Sequence, residues 1–218
     1  MDDQAIVLAN GSIDDPATLR KRLKEWGEAQ VIAADGGSRH AEILGLDIDV
    51  VIGDLDSIDL ETRAALIAAG VRIETSSPQK DETDLELALL NLADEKVKRI
   101  VVLGALGGRL DMTISNVLLL THPRLASLQI ELWQGRQTAW LIRPPGGEIR
   151  GREGDTLSLI PLDGDAQGIT TYDLAYPLQH DTLSYGPARG VSNILSGPVA
   201  RVEVHSGTLL AIHTAEAI

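Results

Sequence analysis

The sequence predicts an α/β protein: an N-terminal, mostly parallel sheet flanked by helices, followed by a C-terminal all-β, sandwich-like domain. Three observations predict it. Up to about Trp133, short apolar runs alternate with longer stretches of helical periodicity, the pattern of repeated βα units. Beyond about Gln134, glycine and proline become frequent and the apolar period falls to two. The junction between these textures is expected between Gly135 and Gly147, where Pro144-Pro145-Gly146-Gly147 marks a turn. Residues 1–135 are therefore expected to form an α/β domain and 136–218 a β domain.

The apolar runs are Ala5 to Ala9, Val31 to Ala34, Val50 to Ile52, Val71 to Ile73, Ile100 to Leu103 and Ile130 to Trp133. A first helix is expected from Pro16, which needs no amide partner in an opening turn, through Leu19, Leu23 and Trp26. A second covers Asp84 to Leu92, with Leu85, Leu89 and Leu92 on one face, and a third covers Leu110 to Leu120. Farther on, Thr156 to Ile160 and Ala200 to Val204 alternate as antiparallel strands do. There is no internal repeat and no low-complexity tract.

The formal net charge of −13 repels polyanions, so neither nucleic acid nor an anionic membrane is an expected partner. A small cationic substrate suits such a surface. An anionic one such as ATP binds only if divalent cations stand between its phosphates and the protein's carboxylates. The chain has no cysteine, which removes disulfides, thiolate zinc sites and cysteine nucleophiles together. The acidic start Met1-Asp2-Asp3-Gln4 is unlike a secretory signal, and no apolar run approaches the roughly 20 residues that span a bilayer. A cytoplasmic location is expected.

Three acidic motifs follow predicted strands: Asp35-Gly36-Gly37, Gly53-Asp54-Leu55-Asp56-Ser57, and Lys80-Asp81-Glu82-Thr83-Asp84, which opens the second helix. In an open parallel sheet the strand carboxyl ends share one edge, where ligands bind. Taken singly, Asp35-Gly36 reads as a turn and Asp81 as a helix N-cap. Their coincidence on one edge favours a site, because gathered carboxylates repel one another unless a cation or proton intervenes. The fifth strand leads into Leu103-Gly104-Ala105-Leu106-Gly107-Gly108-Arg109-Leu110-Asp111, a glycine-rich turn whose amides suit phosphate oxygens. It matches neither a Walker A loop nor GxGxxG. Arg109 offers a donor fork for phosphate, or an ion pair with Asp111. The five histidines show no metal-ligand spacing.

Taken in order, and with the late Leu174-Ala175-Tyr176-Pro177-Leu178 and Gly190-Val191-Ser192-Asn193, these motifs resemble the thiamine pyrophosphokinase (thiamin diphosphokinase) family over nearly the whole chain. The resemblance implies transfer of the pyrophosphoryl group of ATP to thiamine, with release of AMP. It implies Mg²⁺-binding carboxylates at Asp54, Asp56 and Asp84, with Asp35 and Asp81 nearby. Lys80, Thr83, Arg109 and Asp111 are implied around the nucleotide, beside Gly36 and Gly107 of the glycine-bearing turns. Ser192 and Asn193 are implied on the thiamine side, in a β domain that also supports a homodimer. Asp84 or Asp81 is the expected proton acceptor for the attacking hydroxyl.

This chain departs from the family in one respect. Members often carry an aromatic residue shortly after the Ser-Asn pair, whereas Ile194 and Leu195 stand here and phenylalanine is absent altogether. Trp133, Trp140, Tyr176 and Tyr185 are the replacements to consider. Two rival readings use the Asp54-Leu55-Asp56 pair alone or no chemistry at all: a metal-dependent phosphohydrolase or nucleotidyl-sugar transferase, and a non-catalytic nucleotide-binding regulatory module. Neither uses the late Gly-Val-Ser-Asn segment.

Overall fold

The computed structural model describes residues 3–55, 58, 60–75 and 80–216. The chain divides into two units, Met1–Gly135 and Arg136–Ile218. In the first, β1 (Gln4–Leu8), α1 (Pro16–Trp26), β2 (Gln30–Ala34), α2 (Ala41–Leu44), β3 (Val50–Gly53), α3 (Leu60–Ala68), β4 (Arg72–Thr75), α4 (Asp84–Asp94), β5 (Arg99–Leu103), α5 (Leu110–Leu119) and β6 (Gln129–Gln134) follow in order. Every strand pair in this unit is parallel, and the order across the sheet is β6-β5-β1-β2-β3-β4. The chain thus winds outward from β1 to β4, then returns to the other side of β1 to lay down β5 and β6. The reversal opens a crevice at the carboxyl ends of β1 and β5, the usual place for a ligand in an open α/β sheet.

Burial explains the apolar runs. Ile6 to Leu8, Ile32 to Ala34, Val50 to Ile52 and Ile100 to Leu103 are buried throughout, as strands covered on both faces must be. Strand β4 lies at the edge and buries none of its residues, and it begins one residue later than the apolar run suggests because the Val71 amide donates back to the Leu66 carbonyl of α3. Helix α1 starts at Pro16 with Asp15 accepting from the Thr18 amide, and α4 buries Leu85, Leu89 and Leu92 as its spacing requires. Each such leucine contributes about 2 kcal/mol on leaving water. Trp26 meets Trp133 edge-on at 5.5 Å, with Arg22 stacked on Trp133 and Arg99 on Trp26. Helices α2 and α3 are additions to the sequence reading. The first is a single turn and the second buries no residue, so neither shows an apolar stripe.

The second unit contains β7 (Gln137–Ile142), β8 (Gly146–Arg150), β9 (Thr156–Pro161), β10 (Ala166–Tyr172), β11 (Asp181–Leu183), β12 (Asn193–Ile194), β13 (Val199–Glu203) and β14 (Leu209–Thr214). All pairings are antiparallel, in the orders β12-β9-β14-β7 and β11-β10-β13-β8. Both sets of strands feed one core, with Leu157, Leu159, Leu209 and Ala211 from the first and Ile149, Ile169, Ala200 and Val202 from the second. This is sheet-on-sheet packing. The Pro144-Pro145 signal is a turn closed by the Gly146 amide on the Arg143 carbonyl.

Asp155, only 2% exposed, ties the start of β9 to the end of β14. Its Oδ2 accepts from the Arg152 amide at 2.8 Å and meets His213 Nε2 at 2.9 Å, and its Oδ1 accepts from the Glu216 amide at 2.9 Å. Burial by itself raises this carboxyl's pKa, but the Glu216 and Arg152 amides and His213 outweigh it and hold the group below its ordinary value. A depressed folded pKa gives stability that is present above the unfolded value of about 3.9 and lost as pH falls through the folded one. Asp155→Asn is therefore expected to cost on the order of 2 kcal/mol at pH 7, with the gap closing below about pH 4. Urea unfolding of both proteins across that range checks this, and an equal gap at pH 7 and pH 2.5 would contradict it.

Candidate active site

A cavity of about 590 Å³ opens at the carboxyl edge of the parallel sheet. Four connections reach it. Asn10, Gly11 and Ser12 follow β1, Asp35 and the turn carrying Arg39 and His40 follow β2, Asp54 follows β3, and Gly107 and Arg109 follow β5. Lys80, Thr83 and Asp84 enter it from the N-terminus of α4.

Asp35 is the most constrained of these residues. It adopts a left-handed backbone (φ 43°), is 5% exposed, and its Oδ1 is buried without a hydrogen-bond partner. A buried carboxylate oxygen lacking a donor is costly, by about 1–3 kcal/mol or more for a charged group. Gly53, the last residue of β3, explains how Asp35 and Asp84 approach each other. A methyl group built there would lie 2.8 Å from Asp35 Cβ and 3.3 Å from Asp84 Cγ. The two carboxylates therefore flank a position that tolerates no side chain.

Helix α4 begins with Thr83, whose Oγ1 accepts from the Glu86 amide at 3.2 Å. Thr83, and not Asp81, is thus the N-cap, since it immediately precedes the first helical residue and its hydroxyl makes the capping bond. Asp84 occupies the first helical position, at the positive end of the helix, and pairs with the Lys80 ammonium one turn earlier.

The loops around the crevice are stitched to one another. The Gly11 amide donates to the Gly104 carbonyl at 2.7 Å and the Ser12 amide to Leu106 at 3.0 Å. Arg39 Nη2 donates to the Asn10 and Gly11 carbonyls, and His40 Nε2 lies 2.9 Å from Gly11 O. Burial pushes the His40 imidazole below its ordinary pKa, the Gly11 carbonyl opposes this, and Arg39 adds to it. A neutral ring with its proton on Nε2 suits that contact. Gly37 packs so closely that an added methyl would stand 2.0 Å from the Leu8 carbonyl oxygen.

Of the residues the sequence singles out, Asp35, Asp54, Lys80, Thr83, Asp84, Gly107 and Arg109 line this one cavity. Gly36 is buried against the Asn10 side chain and lines a smaller neighbouring hollow. Asp81 is exposed and outside the lining. Asp111 is exposed too, and pairs with Arg109 through two hydrogen bonds of 3.1 and 2.5 Å, which holds its carboxyl below the ordinary range. Asp56 lies outside the described residues. Among the described residues no three carboxylates or imidazoles converge tightly enough to hold a metal by themselves.

Ser192 and Asn193 belong to the second unit, where Asn193 opens β12. Ser192 has a left-handed backbone (φ 61°), and its amide donates to Ser158 Oγ at 3.1 Å.

Asn10, Gly11, Ser12, His40 and Asn116 are lining residues that the motifs did not reveal. The signal for the first three was present, since they follow the first apolar run just as the acidic motifs follow later ones. Asn116 carries no local signal. It sits inside α5, where its Nδ2 donates to the Ala105 carbonyl at 2.7 Å and its Oδ1 is buried without a partner.

Comparison with known proteins decides the family. A model described as "Thiamin pyrophosphokinase, catalytic domain" matches residues 23–132, and one described as "Thiamin pyrophosphokinase, vitamin B1 binding domain" matches residues 146–209. The chain belongs to the thiamin pyrophosphokinase family. A thiamine pyrophosphokinase of Oryza sativa is 30% identical over 213 residues, covering 86% of this chain and 80% of that protein. One from Bacillus subtilis is 27% identical over 165 residues, covering 75% and 77%. Among solved structures, thiamine pyrophosphokinase from Bacillus subtilis superposes with a TM-score of 0.85 at 23% identity, covering 98% of this chain and all of that one. The yeast thiamin pyrophosphokinase gives 0.80 at 16% identity, covering 98% and 86%. At these identities the structures establish the fold. Family membership makes the chain an ATP-using thiamine pyrophosphokinase with a thiamine-binding domain in its second unit.

If the bare Cα of Gly53 is what lets Asp35 and Asp84 approach each other, Gly53→Ala should leave the circular dichroism spectrum intact and lower turnover about 100-fold, as small misplacements at reacting centres do. Turnover within threefold of the parent enzyme would show that their spacing is not critical.

Proposed function

We propose that the cavity binds the triphosphate of ATP through Mg²⁺, and that thiamine's hydroxyl attacks the β-phosphorus to give thiamine diphosphate and AMP. The observation that carries this reading is the buried, donorless Oδ1 of Asp35 beside the Asp84 carboxylate, in a cavity that also holds Asp54, Lys80 and Arg109. Such a donor set fits a hard divalent cation. Magnesium prefers one or two carboxylates and completes its shell with water and substrate phosphates, so a three-carboxylate cage is unnecessary. Asp54 and Asp84 would hold it, with Asp35 beside them and Asp56 as the remaining family-implied ligand. When bound, the ion neutralises phosphate charge and polarises the phosphorus under attack.

The chain's own residues supply the rest. Lys80 and Arg109 stand in the cavity wall beside Arg39 and are suited to phosphate oxygens, and Arg109 reaches them by exchanging its exposed pairing with Asp111. The α4 N-terminus adds its positive end, with Thr83 already committed to capping. Amides of the Gly107-Gly108 turn are suited to further phosphate oxygens. Asp84 is favoured over Asp81 as proton acceptor for thiamine's hydroxyl, because Asp84 lines the cavity and Asp81 does not. Ser192 and Asn193 belong to the thiamine-binding side. The acidic surface suits the thiazolium cation.

We further propose that the enzyme acts as a homodimer in the cytoplasm. Leu110, Ile114 and Leu118 form a stripe along α5 that is 47–73% exposed, on the helix whose Met112 and Asn116 line the cavity. Apolar stripes of this kind mark association surfaces. No helix among the described residues is long and apolar enough to cross a membrane.

Three experiments test these readings. Incubation with ATP, Mg²⁺ and thiamine should yield AMP and thiamine diphosphate in equal amounts on chromatography, with loss of product in excess chelator. Asp84→Asn should abolish turnover at unchanged fold, and ADP or thiamine-independent hydrolysis would instead favour a different phosphotransfer. Ile114→Glu should shift the protein from dimer to monomer mass in light scattering; an unaltered dimer would remove α5 from the interface.

A further inference from the structure

Besides His40, the basic side chains that line the cavity among the described residues are Arg39, Lys80 and Arg109. Lys80 and Arg109 already have carboxylate partners. The Lys80 ammonium pairs with Asp84, and Arg109 holds Asp111 through two hydrogen bonds. Arg39 has none among the described residues. The acceptors it meets are two backbone carbonyls, Asn10 O at 2.9 Å and Gly11 O at 3.2 Å, and both are bonded through Nη2. A carbonyl oxygen fixes a guanidinium without cancelling its charge, so a full positive charge stands unanswered in a cavity that Asp35, Asp54 and Asp84 also line.

The position of that charge is set from both sides. Before Arg39 in the same short turn, Gly37 is lodged against the Leu8 carbonyl. After it, His40 is buried and its Nε2 meets the Gly11 carbonyl that Arg39 also uses. The backbone of Arg39 is therefore fixed while its side chain stays exposed. With Nη2 spent on the β1 connection, Nε and Nη1 keep three N–H donors without an acceptor among the described residues. Arg39 also borders the smaller hollow of about 380 Å³ beside the main cavity, so an anion seated against it has room on either side. The plain alternative is a strut that ties the β2 connection to that of β1. A strut needs a donor but no charge, and it would leave two of the three guanidinium nitrogens idle.

We propose that Arg39 is a direct phosphate contact of the nucleotide, the one basic side chain here that binds without first surrendering a carboxylate. This rests on the reading of the cavity as the ATP site. Lys80 and Arg109 each exchange one anion for another when phosphate arrives, which offsets much of what they gain. Arg39 exchanges only water, and its guanidinium is already held in place, so little side-chain freedom is lost on binding. In a protein of net charge −13 such a group draws a phosphate into a region that otherwise repels it.

Two substitutions separate contact from strut in the full-length protein. Arg39→Gln keeps a side-chain donor for the Asn10 and Gly11 carbonyls and removes the charge, whereas Arg39→Met removes both. Calorimetric titration of MgATP, without thiamine, should show both variants binding roughly tenfold more weakly than the parent, with Arg39→Gln unchanged in circular dichroism and melting temperature. Raising NaCl from about 0.05 M to about 0.5 M should narrow the gap between parent and Arg39→Gln, because salt screens a lost charge contact and leaves a lost strut as it was. In steady-state AMP release the KM for ATP should rise to a similar extent, with the KM for thiamine within about twofold. Affinity of Arg39→Gln for MgATP within about twofold of the parent overturns the proposal, as does a gap that salt leaves unaltered or a thiamine KM that rises in step with that for ATP. Weakening confined to Arg39→Met makes Arg39 a strut only. Parent protein that does not bind MgATP at all removes the reading of the cavity as the ATP site, and the role of Arg39 falls with it.

Discussion

A buried carboxylate oxygen with no donor from its own chain is the constraint around which the first unit is arranged. Asp35 stands at the end of β2 in a left-handed conformation, 5% exposed, with Asp84 brought close by a residue that has no side chain. Folding alone gains nothing from this placement, since it gathers negative charge where water is scarce. The surrounding structure has to impose it. The Gly37 backbone is lodged against Leu8, Arg39 and His40 grip the Asn10-Gly11 carbonyls, and the Gly11 and Ser12 amides tie the β1 connection to that of β5. Strain of this kind, held by a rigid frame, is what a preorganised ligand site requires.

The frame follows from strand order. Because β5 is laid beside β1 after the chain has wound outward to β4, the connections after β1 and β5 meet at the point where the strand order reverses and, hydrogen-bonded to each other, contribute to the cavity lining. The connections after β2 and β3 and the start of α4 bring the carboxylates to its rim. A protein with a net charge of −13 binds a triphosphate poorly unless cations intervene, and on the proposed reading the concentrated carboxylates recruit the metal that permits it.

The second unit is built on a sandwich core that is contiguous through Leu157, Ile169, Ala200 and Leu209, and the residues proposed for the thiamine side, Ser192 and Asn193, stand outside that core. The loop of Leu174 to Leu178 is disciplined by two buried leucines, a proline and the Asn193 amide, and its tip is an exposed aromatic ring. Asp155 supports the same neighbourhood from beneath, since the Leu195 amide donates to its carbonyl while its carboxylate fastens the end of β14.

Period and punctuation determined the architecture from the sequence: buried runs in β1, β2, β3 and β5, the α4 face of Leu85, Leu89 and Leu92, and the shift to two-residue alternation after Gln134 all arise from neighbours along the chain. The acidic motifs and the family were legible for the same reason, as local signals repeated in order. Tertiary structure alone decided what depends on residues distant in sequence. It brought Asn116 and His40 to the cavity, left Leu110, Ile114 and Leu118 of a regular amphipathic pattern facing outward, and set the Asn193 amide against Tyr176. A hydrogen bond or a close approach across 17 or more residues is fixed by how sheets and loops pack, and no spacing along the chain encodes which partner will be there.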